Sequence, residues 1–463
     1  MALFQKVLVA NRGEIARRVI RTCKRLGIAT VAVYSEADAE SPHVSDADEA
    51  ILLGPSPAKE SYLNIDAVLR AIEQTGADAV HPGYGFLSEK GDFARALIAR
   101  NVTFVGPTPD VLDAFGDKMK ARAVAKNAGT SAVPGTDFPV SVESPEDLAR
   151  AREVVATIGY PLMVKAVGGG GGIGMQIVRE EAQLEKALKS CSDRGRAAFA
   201  DARVFLERYV SEPRHIEVQV FCDTHGQAFA LGERECSLQR RHQKILEESP
   251  SPAAFFQGEA GERRRKELHE AALRVVRSVG YVGAGTCEFI ADAEGNLFFL
   301  EVNARLQVEH PVTEMVTGLD LVELQLRVAK GERLPDLSST KPKGHSIEVR
   351  VYAEDPAKGF IPKPGDVTEL VWPEAGQDLR IESGVRAGNK VTPFYDPMIA
   401  KIIAWGEDRK AAIARLDGAL AQTKLAPITT NVSFLRKVLA SEEFNAGRYD
   451  TTFAEPFAKR AGP

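Results

Sequence analysis

Residues 285–301 read GTCEFIADAEGNLFFLE, two apolar runs on either side of a short turn sequence. This pattern predicts a β-hairpin in which residue 291 pairs with residue 298 and Glu288 stands opposite Glu301. Two carboxylates ~5 Å apart on one face of a hairpin repel each other. A divalent cation between them removes the conflict, and hard oxygen ligands suit Mg²⁺ or Mn²⁺. A one-residue slip would instead separate the glutamates on a solvated surface, so the pattern alone leaves both arrangements open.

The segment after the hairpin alternates polar and apolar residues with a strict period of two. Its polar members are Glu301, Asn303, Arg305, Gln307 and Glu309. In an extended chain this spacing directs all of these side chains to one face. Residues 215–220 and 347–352 show the same alternation. An amphipathic edge strand facing solvent would look alike, so the alternation predicts either a functional face or an ordinary surface.

Upstream of the hairpin, an apolar strand-like segment at 160–167 contains Lys165 and leads into glycines at 168–172 and 174. Consecutive glycines allow backbone N–H groups to close around phosphate oxygens. A flexible linker is the alternative reading, but linkers usually contain serine and join domains. The P-loop pattern G-x-x-x-x-G-K-[ST] is absent from this segment. We therefore expect a glycine loop that covers phosphate groups.

Two further segments carry possible chemistry. Residues 234–244 hold five cationic or potentially cationic side chains, Arg234, Arg240, Arg241, His242 and Lys244. In a chain with a formal net charge of −5, this cluster predicts a local anion site, with a solvated charged face as the alternative. Residues 81–89, HPGYGFLSE, indicate a strand-to-helix turn shaped by glycine.

The first hundred residues determine the expected fold class. Short β-rich runs alternate with helical patterns over residues 6–106, which predicts a parallel sheet covered by helices. The first turn, at residues 11–14, has one glycine, so the dinucleotide-binding fingerprint is absent. Residues 133–207 resemble an inserted flap in a second region, and residues 330–345 have the composition of a linker before a strand-rich third domain.

Composition excludes several classes of protein. The chain has 463 residues, 44% hydrophobic and 27% charged, which is typical of a folded protein of about three domains. The net charge of −5 argues against a broad basic surface for nucleic acid or an anionic membrane. Five cysteines without a C-x-x-C pair argue against a disulfide framework and a zinc site. The first residues lack a secretory apolar core, so we expect a cytoplasmic protein.

Taken together, these segments resemble the biotin carboxylase family of the ATP-grasp superfamily. The match includes residues 9–15, 81–89, 165–174, 234–244, 299–314 and 395–401, and it covers residues 4–450. The resemblance implies an α/β protein with the ATP-grasp fold. Its expected parts are an amino-terminal doubly wound (pre-ATP-grasp) domain at 1–113, an ATP-grasp domain at 114–330 with a mobile lid at about 133–207, and a mixed α+β carboxy-terminal domain at 331–450.

The resemblance also implies an activity. The expected enzyme is a ligase that uses ATP, Mg²⁺ (or Mn²⁺) and bicarbonate to carboxylate biotin through carboxyphosphate, giving carboxybiotin, ADP and phosphate. This is the first half-reaction of a carboxylase of the acetyl-/acyl-CoA type. The chain has no Ala-Met-Lys-Met biotinylation sequence, so biotin is expected on a separate biotin carboxyl carrier protein. Carboxyltransferase subunits and a second copy of the chain complete the expected partners.

Site residues follow from the same resemblance. The residues expected at the nucleotide are Lys118, Lys165, Gly169, Gly170, Gly171, Glu207, Arg208, Val210, His215, Gln239 and His242. The expected metal positions are Glu288, Glu301 and Asn303, in agreement with the hairpin pattern. The residues expected to hold bicarbonate or biotin are Arg305, Gln307, Val308, Tyr84, Gly85 and Arg350. The expected catalytic residues are Glu309 as general base, Arg350, Arg305 and Lys244.

Three positions depart from the family pattern. Ile173 and Gln176 stand where family members usually carry cations, and Arg208 stands where lysine is usual. These changes are expected to affect nucleotide affinity more than reaction type. Two other readings stay open from the sequence: a ligase that passes carboxyphosphate to an amine, and a nucleotide-sensing scaffold within a carboxylase complex.

Overall fold

The computed structural model describes residues 3–168 and 174–462. The amino-terminal part contains a five-stranded, fully parallel sheet in the order β3-β2-β1-β4-β5. Its elements are β1 (Lys6–Val9), α1 (Gly13–Arg25), β2 (Ala29–Ser35), α2 (Pro42–Asp46), β3 (Glu49–Gly54), α3 (Ile65–Thr75), β4 (Ala79–His81), α4 (Gly91–Ile98), β5 (Thr103–Phe104) and α5 (Pro109–Gly116). Helix α1 buries Ile15, Val19 and Cys23 at helical spacing. The predicted parallel sheet covered by helices is confirmed.

The central part joins a large sheet to a smaller inserted unit. Its elements are α6 (Lys118–Asn127), α7 (Pro145–Ile158), β6 (Leu162–Ala166), β7 (Met175–Val178), α8 (Leu184–Phe199), β8 (Val204–Arg208), β9 (Arg214–Cys222), β10 (Ala228–Arg240), β11 (Gln243–Ser249), α9 (Gly258–Ser278), β12 (Gly283–Ala291), β13 (Leu297–Asn303), α10 (His310–Thr317) and α11 (Leu321–Ala329). Strands β7-β6-β8 form a three-stranded antiparallel sheet that packs on α7 and α8 around its own apolar cluster.

The carboxy-terminal part extends the large sheet. Its elements are β14 (His345–Tyr352), β15 (Glu354–Asp355), β16 (Ile361–Pro362), β17 (Gly365–Asp366), β18 (Glu369–Val371), β19 (Leu379–Ser383), β20 (Lys390–Val391), β21 (Met398–Gly406), α12 (Arg409–Gln422), β22 (Lys424–Ala426), α13 (Val432–Ala440), α14 (Glu442–Asn445) and α15 (Ala454–Ala461). The eight-stranded sheet has the order β13-β12-β9-β10-β11-β14-β21-β19. Because β11 pairs with β14, the eight-stranded sheet contains strands from both sides of the linker at 330–345.

The β12–β13 hairpin forms, with one change from the predicted register. Glu288 pairs with Glu301 as predicted, but residue 291 pairs with Leu297 instead of residue 298. A bulge between Glu288 and Phe289 absorbs the difference of one residue. A bulge places two residues of one strand opposite one residue of its partner, and no local apolar pattern encodes that step. The two glutamates therefore remain on one face although the turn is shorter than expected.

Within the described residues, none of the helices combines the length and the apolar character needed to cross a bilayer. All five cysteines are buried free thiols.

Candidate active site

A cavity of about 760 Å³ lies where the loops after β1 and β4 face the large sheet. Its wall includes most of the predicted site residues although they are far apart in the sequence. Those residues are Tyr84, Gly85, His215, Gln239, His242, Lys244, Glu288, Glu301, Asn303, Arg305, Gln307, Val308, Glu309 and Arg350. The cavity therefore collects the residues that the sequence proposed for metal, bicarbonate, biotin and catalysis.

Glu309 lies where the irregular backbone after β13 changes to helix α10. Strand β13 ends at Asn303, and the polar alternation continues through a segment that is not part of a strand. Glu309 directly precedes α10, which has Pro311 in its first turn, where proline is tolerated because its missing N–H has no partner in a helix. The side chains of Arg305, Gln307 and Glu309 all line the cavity. The period of two thus predicted that these side chains share one face, but strand β13 is shorter than the alternating segment.

Lys244 lies at the centre of three buried carboxylates. Its Nζ is 2.5 Å from Glu217 Oε2, 2.9 Å from Glu288 Oε1 and 2.6 Å from Glu309 Oε1. Burial opposes the charge of this ammonium group, but the three glutamates hold its pKa well above the usual value. Lys244 is therefore a permanently charged group that faces the cavity.

Glu309 also pairs with Arg350 on β14. Arg350 Nη2 donates to Glu309 Oε2 at 3.0 Å, and Arg350 Nε donates to Glu247 Oε1 at 2.7 Å. Burial of Glu309 opposes its ionisation, yet Lys244, Arg350 and Arg234 together hold its pKa well below the usual value. The carboxylate is consequently ionised.

Arg305 is oriented by a residue that the sequence reasoning did not select for the site. Glu89 Oε2 accepts a hydrogen bond from Arg305 Nε at 3.0 Å, and Glu89 Oε1 accepts one from the Ala304 N–H at 3.1 Å. Arg305 also donates to Asn303 Oδ1 and Gln307 Oε1, each at 2.9 Å. Glu89 is the last residue of the HPGYGFLSE motif, and this motif was the sequence signal that could have identified Glu89 as a site residue. The motif therefore supplies a hydrogen-bond partner for Arg305 in the alternating segment.

The predicted metal positions carry suitable oxygen ligands. Glu288 and Glu301 are cross-strand neighbours, and Asn303 Nδ2 donates to Glu288 Oε1 at 2.9 Å. Lys118 Nζ lies 2.7 Å from Glu301 Oε2, and His215 Nε2 lies 3.1 Å from Glu288 Oε2. Burial opposes the charge of His215, whereas Glu288 raises its pKa overall. Carboxylate oxygens gathered in this way fit a hard divalent cation such as Mg²⁺.

The remaining nucleotide positions within the described residues, Lys118, Lys165, Glu207, Arg208 and Val210, are not in the cavity wall. Asp117 caps α6 by accepting hydrogen bonds from backbone N–H groups, so Lys118 begins the helix and reaches Glu301. Glu207 is buried and forms ion pairs with Lys165 and Arg122. These cations lower the pKa of Glu207 against the effect of its burial.

Arg208 and Val210 follow Glu207 at the end of β8. The Arg208 guanidinium lies over the ring of Phe298, 5.5 Å from its centroid, and Val210 is half-buried. Gln176, one of the departures from the family pattern, lies on β7 and is half-buried. The predicted residues Gly169, Gly170 and Gly171 lie outside the described part of the chain, as does Ile173.

At the other end of the cavity, Tyr84 donates a hydrogen bond to Glu14. Lys401 Nζ is 3.2 Å from Glu14 Oε1 and donates to the Val308 carbonyl oxygen at 2.6 Å. Gly85 has φ +69°, a conformation that favours glycine. Lys401 is fully buried and was not selected as a site residue from the sequence. It connects the predicted biotin positions to the loop that carries Val308.

The cationic cluster at 234–244 does not form a single anion site, which corrects the prediction. Arg234 is fully buried, and its guanidinium binds Glu217 Oε1 at 2.5 Å and Gln219 Oε1 at 2.7 Å. Arg240 is also buried and forms an ion pair with Glu354 at 2.5 Å. These two guanidinium groups are neutralised by buried carboxylates, Glu217 on β9 and Glu354 on β15. Of the five, only Lys244 and His242 line the cavity.

Glu217 is a second residue that the sequence reasoning left out of the site. It is fully buried and bonds both Lys244 and Arg234, so it connects the cavity to the interior of the sheet. It belongs to the alternating segment at 215–220, which indicated a polar face without identifying its partners.

Comparison with known proteins identifies relatives over nearly the whole chain. Family models match residues 3–112 (biotin carboxylase, N-terminal domain), 117–337 (carbamoyl-phosphate synthase L chain, ATP binding domain) and 348–456 (biotin carboxylase C-terminal domain). A biotin carboxylase of Halalkalibacterium halodurans is 48% identical over 452 residues, 97% of each chain. The methylcrotonoyl-CoA carboxylase subunit alpha of Dictyostelium discoideum is 47% identical, over 97% of this chain and 63% of that protein.

Solved structures agree with these relatives. The biotin carboxylase–β-γ-ATP complex of Campylobacter jejuni superimposes with a TM-score of 0.92 at 42% identity, covering 97% of this chain and 98% of that one. The biotin carboxylase domain dimer of Hydrogenobacter thermophilus 2-oxoglutarate carboxylase, in complex with MgADP, ADP and bicarbonate, gives a TM-score of 0.92 at 41% identity. That comparison covers 98% of this chain and 97% of that one.

Proposed function

The chain belongs to the biotin carboxylase family, and from this we propose that its cavity catalyses the ATP-dependent carboxylation of biotin with bicarbonate. One observation carries the proposal at the level of residues. Glu309 is a fully buried carboxylate that faces the cavity between two fixed cations, Lys244 and Arg350. A proton acceptor beside two cations is the arrangement needed to deprotonate bicarbonate and direct the resulting anion toward a phosphate.

The first step activates bicarbonate. Glu309 takes the bicarbonate proton, and a carbonate oxygen then attacks the γ-phosphorus of ATP, giving carboxyphosphate and ADP. Lys244 and Arg350 depress the pKa of Glu309. Phosphate oxygens that enter beside Lys244 share its charge, which makes Glu309 a stronger base when ATP is bound.

The transferring phosphoryl group requires neutralisation of charge. Lys244 is the cavity cation suited to this task, and Lys118 and Lys165 are proposed to contact the nucleotide. Glu288, Glu301 and Asn303 would hold Mg²⁺ (or Mn²⁺), which when bound neutralises charge on the ATP phosphates. Glu207, Arg208, Val210, His215, Gln239 and His242 complete the proposed nucleotide positions, with the glycines at 169–171 over the phosphates.

The second step transfers the carboxyl group to biotin. Carboxyphosphate separates into CO₂ and phosphate, the phosphate removes the N1 proton of biotin, and N1 then attacks CO₂. Negative charge develops on the ureido oxygen of biotin, and Arg350 is the cation proposed to stabilise it because a guanidinium does not lose its proton. Arg305, Gln307 and Val308 are proposed to hold bicarbonate, and Tyr84 and Gly85 to lie near biotin.

Domain boundaries and partners belong to the same proposal. We propose domains at 1–113, 114–330 and 331–450, with residues 133–207 as a mobile lid. The three-stranded sheet β7-β6-β8, which has its own apolar cluster, supports a separate lid unit. The proposed partners are a biotin carboxyl carrier protein, carboxyltransferase subunits and a second copy of the chain.

The test is a reconstituted reaction with free biotin. Purified protein is mixed with MgATP, bicarbonate and biotin, and ADP and carboxybiotin are measured together. We expect both products, each dependent on bicarbonate. Ammonia in place of biotin is the control for a ligase that passes carboxyphosphate to an amine. Product formation with ammonia but not with biotin would contradict the proposal, as would ADP formation that is independent of bicarbonate.

A further inference from the structure

Two fully buried glutamates lie beside the cavity without a part in the steps above. Glu247 on β11 is in register with Glu348 on β14, and both are 0% exposed. Among the described residues, Glu247 Oε2 and both carboxyl oxygens of Glu348 have no hydrogen-bond partner. Two adjacent carboxylates away from water repel each other strongly, so the pair is unfavourable if both members are charged.

Arg350 connects this pair to the proposed general base. It lies two residues after Glu348 on β14, on the same face of the strand. Its Nε donates to Glu247 Oε1 at 2.7 Å while its Nη2 donates to Glu309 Oε2 at 3.0 Å. Glu247 Oε1 also forms an ion pair with Arg350 Nη2, so Glu247 and Glu309 share this side of the guanidinium and together determine where it lies.

Several other charged or titratable groups lie close to the pair. Lys401 on β21 is the cross-strand neighbour of Arg350, but its ammonium is engaged by the Val308 carbonyl oxygen and Glu14. The other groups that interact with the pair are Lys244 on β11, Glu309 directly before α10, and Tyr84 after β4. None of the cations donates a hydrogen bond to Glu348 among the described residues.

The electrostatic environment supports one proton on the pair, held by Glu348. Burial raises the pKa of Glu247 to about 7, although Arg350 works in the opposite direction. Burial raises the pKa of Glu348 well above its usual value, and the charge of Glu247 raises it further against the effect of Lys401. Glu348 is thus the member that keeps a proton near neutral pH, and Glu247 is the member that ionises.

We propose that Glu247 is a positioning residue that holds Arg350 in place for biotin, and that its cross-strand neighbour Glu348 remains a neutral carboxyl group. A neutral Glu348 leaves Glu247 free to carry the charge that Arg350 requires. A second charge at Glu348 would compete for the guanidinium and draw it away from the cavity. The inference rests on the proposed role of Arg350 and adds two residues that act through it.

The kinetic test uses Glu247→Gln and a matched control. Glu247→Gln removes one anchor of Arg350, so we expect the KM for biotin to rise about tenfold while the KM for ATP changes less than twofold. The control is Glu233→Gln, which also removes a buried glutamate from an arginine ion pair but lies outside the cavity wall. The control should lose stability without a change in the KM for biotin.

The pH profile separates positioning from a general structural effect. In the wild type, the biotin-dependent rate should fall as pH drops below about 7, because Glu247 takes up a proton and releases Arg350. This acid limb should be absent in Glu247→Gln. An unchanged KM for biotin in Glu247→Gln, or an acid limb that persists in it, would overturn the role of Glu247.

An infrared measurement tests Glu348 without any need for activity. At pH 7.5 the wild type should show the C=O stretch of a buried protonated carboxyl group, and Glu348→Gln should lack it. If the two spectra do not differ in this band, Glu348 is not protonated and the inference fails. A wild type that cleaves no ATP with bicarbonate would instead contradict the proposed function, so the two failures can be told apart.

Discussion

Individual residues in the cavity are held by partners distant in the sequence, and this arrangement makes single changes informative. Glu309 contacts Lys244 and Arg350, which lie on neighbouring strands β11 and β14. Glu217 contacts Lys244 and the fully buried Arg234. Glu309 is proposed to act as the general base, whereas Glu217 is proposed to balance the charges of Lys244 and Arg234. Their amide variants should therefore behave differently.

Glu309→Gln should abolish activity with little effect on nucleotide binding. The amide cannot accept the bicarbonate proton, so bicarbonate-dependent ADP formation should fall at least about a hundredfold. MgATP affinity, measured by calorimetry, should stay within about threefold of wild type because Glu309 is not a proposed nucleotide contact. Phosphate release that continues unchanged in this variant would favour the nucleotide-sensing scaffold.

Glu217→Gln should destabilise the fold. It leaves the guanidinium of Arg234 inside the sheet without its carboxylate, and breaking a buried pair in this way typically costs about 3–5 kcal/mol. Urea unfolding measures the loss. Glu443→Gln is the matched control, because its ion pair with Arg460 is solvent-exposed and its removal should leave the unfolding midpoint unchanged. Equal midpoints for wild type and Glu217→Gln would contradict the role assigned to this pair.

At the level of elements, α9 is attached to β10 through a buried carboxylate. Glu233 on β10 accepts from Arg265 Nε at 2.8 Å, and His269 Nε2 lies 3.3 Å from its other oxygen. Burial opposes the charge of Glu233, but His269 and Arg265 lower its pKa to about 2. A carboxylate with a lowered pKa stabilises the folded state above its unfolded-state pKa, and this contribution disappears as the pH falls toward the folded-state value.

The attachment of α9 should therefore be sensitive to acid. The contribution of Glu233, about 3 kcal/mol from the size of the shift, should be present above pH ~4.5 and be lost between pH ~4.5 and ~2. Urea unfolding at several pH values would show a smaller loss over this range in Glu233→Gln than in wild type. Parallel pH dependence of the two proteins would show that the carboxylate is not linked to folding.

Considered as a whole, the molecule does not divide cleanly at the linker. Strand β14 inserts between β11 and β21, so the large sheet contains strands from both sides of residues 330–345. Glu309 and Arg350, which meet in the cavity, also come from opposite sides of this linker. A sheet shared in this way implies that the central and carboxy-terminal parts depend on each other for stability.

A fragment of residues 1–344 should not fold into a stable native state. Without β14, β11 becomes an exposed edge with unpaired backbone groups and an uncovered apolar face, which favours aggregation. We expect weak near-ultraviolet circular dichroism, strong binding of a hydrophobic dye and no cooperative thermal transition. A fragment that unfolds cooperatively near the wild-type temperature would show instead that the two parts are independent.

Local patterns predicted a large part of this molecule. The alternation of β-rich and helical runs predicted the parallel sheet, because helix and strand periods are properties of neighbouring residues. The hairpin pattern placed Glu288 opposite Glu301, although the bulge beside Glu288 was not encoded in it. Membership of the biotin carboxylase family followed from motifs read along the chain.

The sequence by itself thus determined the periodicity of each element, the acidic face of the hairpin and the set of candidate residues. Only the tertiary structure decided which of them meet. The partners of Lys244, the hold of Glu89 on Arg305 and the pairing of Glu247 with Glu348 join segments far apart along the chain. Such contacts depend on the order and register of strands in the sheet, and those are set by long-range packing that no local pattern specifies.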